Sequence, residues 1–278
     1  MKLLFENWRK FVQEGIDQET GQPDFKYYAF DWDDNILMMP TFIILKDSAD
    51  QDVGMGTADF AEYRTLIGKE DFEYDGAIIT GFADEPFRNF RHPTGDEQFV
   101  EDSMTAELGP SWDDFVECLN GGSIFAIITA RGHHPETLKS AVRALIEAER
   151  EGINKQTLMS SLQKYRDMAA MGTGEGEDII EQYLDMCRFH PVSFSGAGAE
   201  NPEAAKLEAL NAFMSYVREM NQDLPTTVGF SDDDPGNIDV VEKHLGGEKN
   251  LTIKYTGHLP REGSLDEKKN GLTSTKEV

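Results

Sequence analysis

Short apolar runs punctuate a polar chain, and five of them read as buried strands: Tyr27–Phe30, Ile124–Thr129, Pro191–Phe194, Thr227–Ser231 and Leu251–Tyr255. Each is bounded by polar or turn-forming residues and is too short to be a stable helix. Between them the apolar positions recur with helical period. Pro135 sits at a favourable first-turn position, and Leu138, Ala141, Val142, Leu145 and Ile146 form one stripe behind it. Asn201-Pro202 reads as a cap followed by a first-turn proline, with Leu207, Leu210, Met214 and Val217 on a single face. A third helix is predicted over Ile238–Leu245. Strands alternating with helices predict an α/β fold, a parallel sheet covered on both faces.

That rhythm breaks between Ile36 and Trp112, where strand-like pieces (Phe42–Leu45, Ala77–Thr80) and a helix around Ala58–Leu66 lie among many turn residues. A structureless loop of this length is improbable in a compact domain, so residues 37–111 are read as an inserted mixed α/β module. A second interruption, Asn154–Arg188, is helical in pattern with a Gly/Glu-rich break at GTGEGED. Residues 21–36 and 112–258 then form the core, and the polar residues 259–278 a mobile tail. Residues 1–20 form an amphipathic segment, because Leu4, Phe5, Trp8, Phe11 and Val12 share one helical face.

Composition narrows the function classes. Hydrophobic residues make up 39% of the 278 positions and charged residues 28%, as in a soluble globular protein. No apolar stretch approaches the roughly 20 residues that span a bilayer, so no membrane partner is expected. The two cysteines, Cys118 and Cys187, make neither a disulfide framework nor a metal-type pair, and a reducing cytoplasm is the expected location. Asp and Glu outnumber Lys and Arg by 52 to 26, a formal net charge of -26. Such a surface repels a phosphate backbone and argues against general nucleic-acid binding. A phosphorylated substrate would meet the same field and would need a local cation.

The candidate chemistry follows the strands. Tyr27–Phe30 runs straight into Asp31-Trp-Asp33-Asp-Asn35. In parallel sheets ligands bind outside the carboxyl ends of the strands, which is where these acids fall. Acids in this position are also common as turn or capping residues. A calcium loop would need Gly at its sixth position and Glu at its twelfth, where Ile36 and Phe42 stand, so that reading fails. The fourth predicted strand ends in Ser231-Asp232-Asp233-Asp234-Pro-Gly-Asn237, which is good turn chemistry as well as a second acid cluster. Adjacent carboxylates repel unless a cation neutralises them, and two clusters at strand ends of one sheet fit a shared Mg²⁺. Ile124–Thr129 leads into Ala130-Arg131-Gly132. There the Thr129 hydroxyl and backbone N–H groups such as that of Ala130 could grip phosphoryl oxygens, with Arg131 adding a bidentate contact. Lys206 lies in the first turns of the Asn201-Pro202 helix, where a cation opposes the helix dipole. His133 and His134 border this region and read as unliganded surface histidines; Trp32, between the two leading acids, reads as packing.

These pieces, in this order over residues 27 to 239, resemble the haloacid-dehalogenase superfamily. The resemblance implies a Rossmann-like core with an inserted cap, and hydrolysis of a small phosphomonoester with Mg²⁺ through an aspartyl-phosphate. It implies Asp31 as nucleophile and Asp33 as general acid and then base. Thr129, Ala130, Arg131 and Lys206 would bind phosphate, and Asp31, Asp33, Asp232 and Asp233 would form the metal site. The family usually carries Gly and then Thr or Val where Asp34 and Asn35 stand, so the chain departs from the pattern there. The same motifs would serve phosphotransfer to another acceptor, and a non-catalytic assembly protein could keep the fold. The opening residues are also similar to leader helices of tailed-phage head proteins, with Leu4-Phe5-Glu6 resembling their maturation cleavage signal. That implies a phage-encoded chain in the host cytoplasm or virion.

Overall fold

The computed structural model describes residues 26–168, 178–194, 201–221 and 226–257. The expectations for the amphipathic segment 1–20, for most of the GTGEGED break and for the tail 259–278 lie outside these residues.

Five strands form one sheet in the order β11–β10–β1–β8–β9, each pair of neighbours parallel. They are β1 (Lys26–Phe30), β8 (Phe125–Thr129), β9 (Arg188–Pro191), β10 (Thr227–Asp232) and β11 (Leu251–Tyr255). The chain starts in the middle, builds outward on one side through β8 and β9, then crosses back to add β10 and β11. That is the strand order of doubly wound sheets, and its direction reverses between β1 and β10. The protein is therefore mixed α/β.

The continuous apolar runs follow from burial on both faces. In β1, Tyr27 and Ala29 join one cluster while Phe30 joins the other; in β8, Phe125 and Ile127 oppose Ala126 and Ile128. Helices α3 (Trp112–Gly121), α4 (Pro135–Glu147), α5 (Lys155–Met168) and α6 (Ile179–Met186) lie on the first face. Helices α7 (Pro202–Asn221) and α8 (Pro235–Leu245) cover the second through Leu210, Phe213, Met214, Val217, Ile238 and Val241. Each such side chain, once fully buried, contributes about 1.5–3 kcal/mol. Among the described residues no helix is long and apolar enough to cross a membrane.

One strand is displaced from its expected place. β9 occupies Arg188–Pro191, whereas Val192–Phe194 turns away after it. β9 is an edge strand and only its last residue is buried, so it needs no apolar run.

Between β1 and α3 lie β2 (Leu37–Met38), β3 (Phe42–Asp47), β4 (Asp52–Gly56), α1 (Thr57–Tyr63), β5 (Phe72–Tyr74), β6 (Ala77–Phe82), a 3₁₀ turn (Arg88–Phe90), α2 (Asp96–Thr105) and β7 (Glu107–Leu108). The antiparallel sheet β4–β3–β6–β5 has its own apolar cluster of Ile43, Leu45, Met55, Ile67, Ile79 and Phe90. By contrast β2 pairs with β7, and Leu37 and Phe99 belong to the core's first cluster. The self-contained part of the insertion is thus narrower than 37–111 and runs from Phe42 to Phe90.

Candidate functional site

Asp31 follows β1 directly, Asp232 ends β10, and Thr129 ends β8, so all three sit at the carboxyl ends of adjacent strands beside the reversal point. Lys206 arrives from α7, whose first turn is set by Asn201: its Oδ1 accepts the N–H of Ala204 at 3.0 Å. The Lys206 ammonium is buried, donates to Asp232 Oδ2 at 2.9 Å and lies 3.0 Å from Asp31 Oδ1. It thus bridges the two carboxylates, and the Asp31 side chain it reaches is itself buried. Asp232 Oδ1 is fixed by the N–H of Asp234 at 3.0 Å and the Asn237 amide at 2.9 Å. Asp234 leaves the cluster and caps α8, accepting from Gly236 N–H at 2.7 Å. The acid run thus divides its labour: two carboxylates face Asp31 and one makes the turn.

Asp31, Asp232 and Asp233 each present an oxygen within 4.8 Å of the others, a group that could hold a metal ion. Burial, relieved by Lys206 and reinforced by Asp232 and Asp33, pushes the Asp31 carboxyl up to about 8. Burial and then the charges of Asp31 and Asp232 push Asp233 well above the usual carboxylate range. For Lys206 burial acts downward, but Asp232 and Asp31 outweigh it and the net shift is upward. Once all three are ionised, the carboxylates against one ammonium carry two net negative charges, which a divalent cation matches. An all-oxygen donor set fits a hard cation such as Mg²⁺.

Asp33 and Arg131 are arranged differently from expectation. Arg131 closes its fork on Asp33, Nε to Oδ2 at 2.8 Å and Nη2 to Oδ1 at 2.6 Å, so its donors there are not free for a phosphate. The group of three mutually close carboxylates does not include Asp33. The guanidinium is caged between Phe90 and Phe99, 4.6 and 4.8 Å from the ring centres, and donates to Thr41 Oγ1 at 2.8 Å. Thr129 Oγ1 is 3.4 Å from Asp33 Oδ2 and accepts the Arg131 N–H at 3.3 Å, while Ala130 is exposed to the cavity above.

His133 is not a surface residue but fully buried, with Nε2 3.2 Å from Arg131 Nη1 and Nδ1 3.1 Å from Asp96 Oδ1. Nothing in the sequence pairs His133 with Asp96, which stands on α2. His134 instead caps α4, accepting Glu136 N–H at 3.2 Å. Trp32 is fully buried against Phe99, as packing requires. Burial and then the Arg131 charge push the His133 imidazole down to about 4, against the pull of Asp96. The folded value lies below the unfolded one, so the unfolded state binds more protons between the two. Stability from this residue is complete above about pH 6.5 and is lost as pH falls toward 4. Urea unfolding at pH 7 and pH 5 should show a loss larger in the wild type than in His133→Asn by about 2 kcal/mol. Equal losses would mean that His133 is not held neutral.

The departure at Asp34 and Asn35 has a structural answer. Asp34 takes a left-handed backbone conformation (φ 52°), the kind that glycine adopts without strain and aspartate tolerates. The Asn35 amide donates to the carbonyls of Asp31 and Ser231, each at 3.1 Å, and its Oδ1 accepts from Thr256 Oγ1 at 2.7 Å. Asn35 thereby ties the Asp31 loop to β10 and to the residue after β11.

A cavity of about 370 Å³ opens above these groups. Its floor includes Asp31, Thr129, Lys206 and Asp233, and its opposite wall comes from the Phe42–Phe90 segment. Contacts with the core hold that segment in place: Thr57 Oγ1 donates to Asp34, Arg64 lies 3.2 Å from both Glu203 and Asp234, and the Phe90 carbonyl accepts the Gly132 N–H at 2.8 Å. The chain matches no protein-family model, no curated protein and no solved structure.

Proposed function

We propose that the chain is a Mg²⁺-dependent phosphohydrolase with a haloacid-dehalogenase-type core, acting on a phosphomonoester through Asp31. The observation that carries this reading is the convergence of Asp31, Asp232 and Asp233 within 4.8 Å of one another, with Asp31 Oδ1 3.0 Å from the buried Lys206 ammonium, beside a cavity that Asp31, Asp233 and Lys206 line. A carboxylate that lines a cavity beside a cation is placed to act as a nucleophile. The segment from Phe42 to Phe90 serves as the cap that covers it.

Asp31 attacks phosphorus, and the bond to the leaving oxygen breaks as Asp33, protonated from solvent and released from one prong of its Arg131 contact, gives that oxygen a proton. The alcohol departs, and Asp33 takes a proton from a water that attacks the aspartyl-phosphate. The phosphorus–Asp31 bond then breaks, releasing inorganic phosphate and the free carboxylate. Lys206 and the Thr129 hydroxyl hold the phosphoryl oxygens, while Arg131 keeps Asp33 in one orientation. Asp31, Asp232 and Asp233 would hold Mg²⁺, which would supply positive charge to offset repulsion between the nucleophile and its substrate.

The test is a phosphatase screen over nucleotides, sugar phosphates and polynucleotide ends, with and without Mg²⁺. No Mg²⁺-dependent phosphate release from any of them would defeat the reading. Metal binding has its own readout. Mg²⁺ at about 100 times its Kd should add about 2.7 kcal/mol and raise Tm by roughly 5 °C or more. Asp233→Ala should abolish most of that rise and increase the Mg²⁺ needed for turnover. Ca²⁺ should raise Tm while supporting little turnover, because its looser shell misplaces the reacting groups.

A further inference from the structure

The cavity above Asp31 has two unlike ends. Its floor is ionic, whereas the Phe42–Phe90 segment contributes Ile43, Phe60, Ala61, Phe87 and Phe90, with the polar Thr57 and Arg64 already engaged by Asp34, Glu203 and Asp234. Phe60 and Phe87 meet edge to face, with ring centres 5.6 Å apart and planes at 83°. Both pack on the margin of the insertion's apolar cluster yet stay only half-buried, keeping ring surface open to the cavity. Phe90 differs, because one of its faces already carries the Arg131 guanidinium. An apolar wall of this kind leaves the hydroxyls of a sugar phosphate without partners, whereas a flat ring buries both its faces favourably. The volume suits one small molecule and admits neither a duplex nor a folded protein. At the rim stands Arg91, exposed and without an ion pair among the described residues. It offers a positive charge to an incoming phosphate on a chain of formal net charge -26.

We propose that the substrate is a phosphomonoester whose leaving group carries a flat aromatic ring, either a nucleobase or an aryl group. The ring seats against Phe60 and Phe87 while the phosphate reaches Asp31. This specificity rests on the phosphohydrolase reading above. Ring-on-ring stacking of this sort changes affinity by about 10- to 100-fold when the protein's aromatic side chain is removed.

The full chain with Mg²⁺ is assayed on adenosine monophosphate, phenyl phosphate and ribose 5-phosphate. Adenosine monophosphate and ribose 5-phosphate share the same kind of leaving oxygen, so their ratio of kcat/KM isolates the ring. Phenyl phosphate has a better leaving group and is compared by KM. At least one ring-bearing ester should be favoured over ribose 5-phosphate by about 10-fold or more. Which of the two is favoured separates a nucleotide from an aryl phosphate. Phe60→Leu keeps the volume and apolarity that folding needs but removes the ring, and with Phe60→Ala it should collapse that preference toward parity. Ribose 5-phosphate used as well as both aromatic esters would overturn the proposal while leaving hydrolysis intact. So would an unchanged preference in Phe60→Leu. If none of the three esters is hydrolysed, the wider phosphatase screen decides the hydrolase reading, and calorimetric binding of the same three compounds decides the inference. Tighter binding of a ring-bearing ester then supports it; equal or absent binding of all three overturns it.

Discussion

Asp31→Asn should lose on the order of 10³-fold or more in turnover of an aryl phosphate while melting no earlier than the wild type. The two halves of this result come from the same geometry. Asp31 lines the cavity beside Lys206, and an amide in place of its carboxylate cannot attack phosphorus. Removing the charge also removes one member of a crowded group: Asp31, Asp232 and Asp233 lie within 4.8 Å of one another, and burial already disfavours ionised Asp31. Lys206 keeps its hydrogen bond to Asp232, so no buried ammonium is left alone. The Mg²⁺-induced rise in Tm should shrink, because one of three ligands has been weakened. Full activity in the variant would remove Asp31 from the chemistry; a collapse of Tm would mean that Asp31 holds the fold, and loss of turnover would then say nothing about its role.

The part of this arrangement that was legible in the sequence is the part set by local rules. Buried parallel strands read as continuous apolar runs, and β1, β8 and β10 fall where those runs lie; β11, an edge strand without a fully buried residue, was found all the same from Leu251, Ile253 and Tyr255. The chemistry at a strand end is fixed by the strand itself, so Asp31, Thr129 and Asp232 could be placed without any knowledge of their partners. Lys206 was legible for the same reason: Asn201 and Pro202 fix where α7 starts, and the position follows from the turn count. β9 was misplaced because an edge strand needs no apolar signature, and Arg188–His190 carries little of one. β4 and β5 were not seen either. Asp52–Gly56 holds two glycines, and Phe72–Tyr74 is too short to show a period.

What could not be read is pairing over long separations. Arg131 and Asp33 are 98 residues apart, and an arginine after a strand looks equally suited to a phosphate or to a carboxylate. Its cage decides the matter, and the cage is tertiary: Phe90 comes from the insertion and Phe99 from α2. His133 was read as exposed because it precedes a helix in a polar stretch. It is buried because α2 packs on α4 and brings Asp96 to it. The insertion's boundaries shifted for a related reason. A connecting segment can leave a domain and still give part of its apolar surface back, as Phe99 and Leu37 do.

Lys206→Met should cost about 3–5 kcal/mol of unfolding free energy, the largest loss expected of any single change at this site. The side chain is 3% exposed, and its ammonium is shared by Asp31 at 3.0 Å and by Asp232, itself fully buried, at 2.9 Å. Methionine fills a similar volume, so the loss measures the stranded carboxylates rather than a cavity. Turnover should also fall, on the order of 10²-fold, because the same cation faces the phosphoryl group. A structural role and a charge role can be told apart by adding Mg²⁺. If the deficit is electrostatic, the cation should restore more stability to Lys206→Met than it adds to the wild type, since it meets one more uncompensated charge. The double variant Asp31→Asn with Lys206→Met should be more stable than Lys206→Met alone for the same reason, a coupling that neighbours in one network show. Urea unfolding of the three proteins with and without Mg²⁺ measures both effects. A loss under about 1 kcal/mol, with no coupling to Asp31, would mean that the ammonium is solvated and the buried ion network does not form.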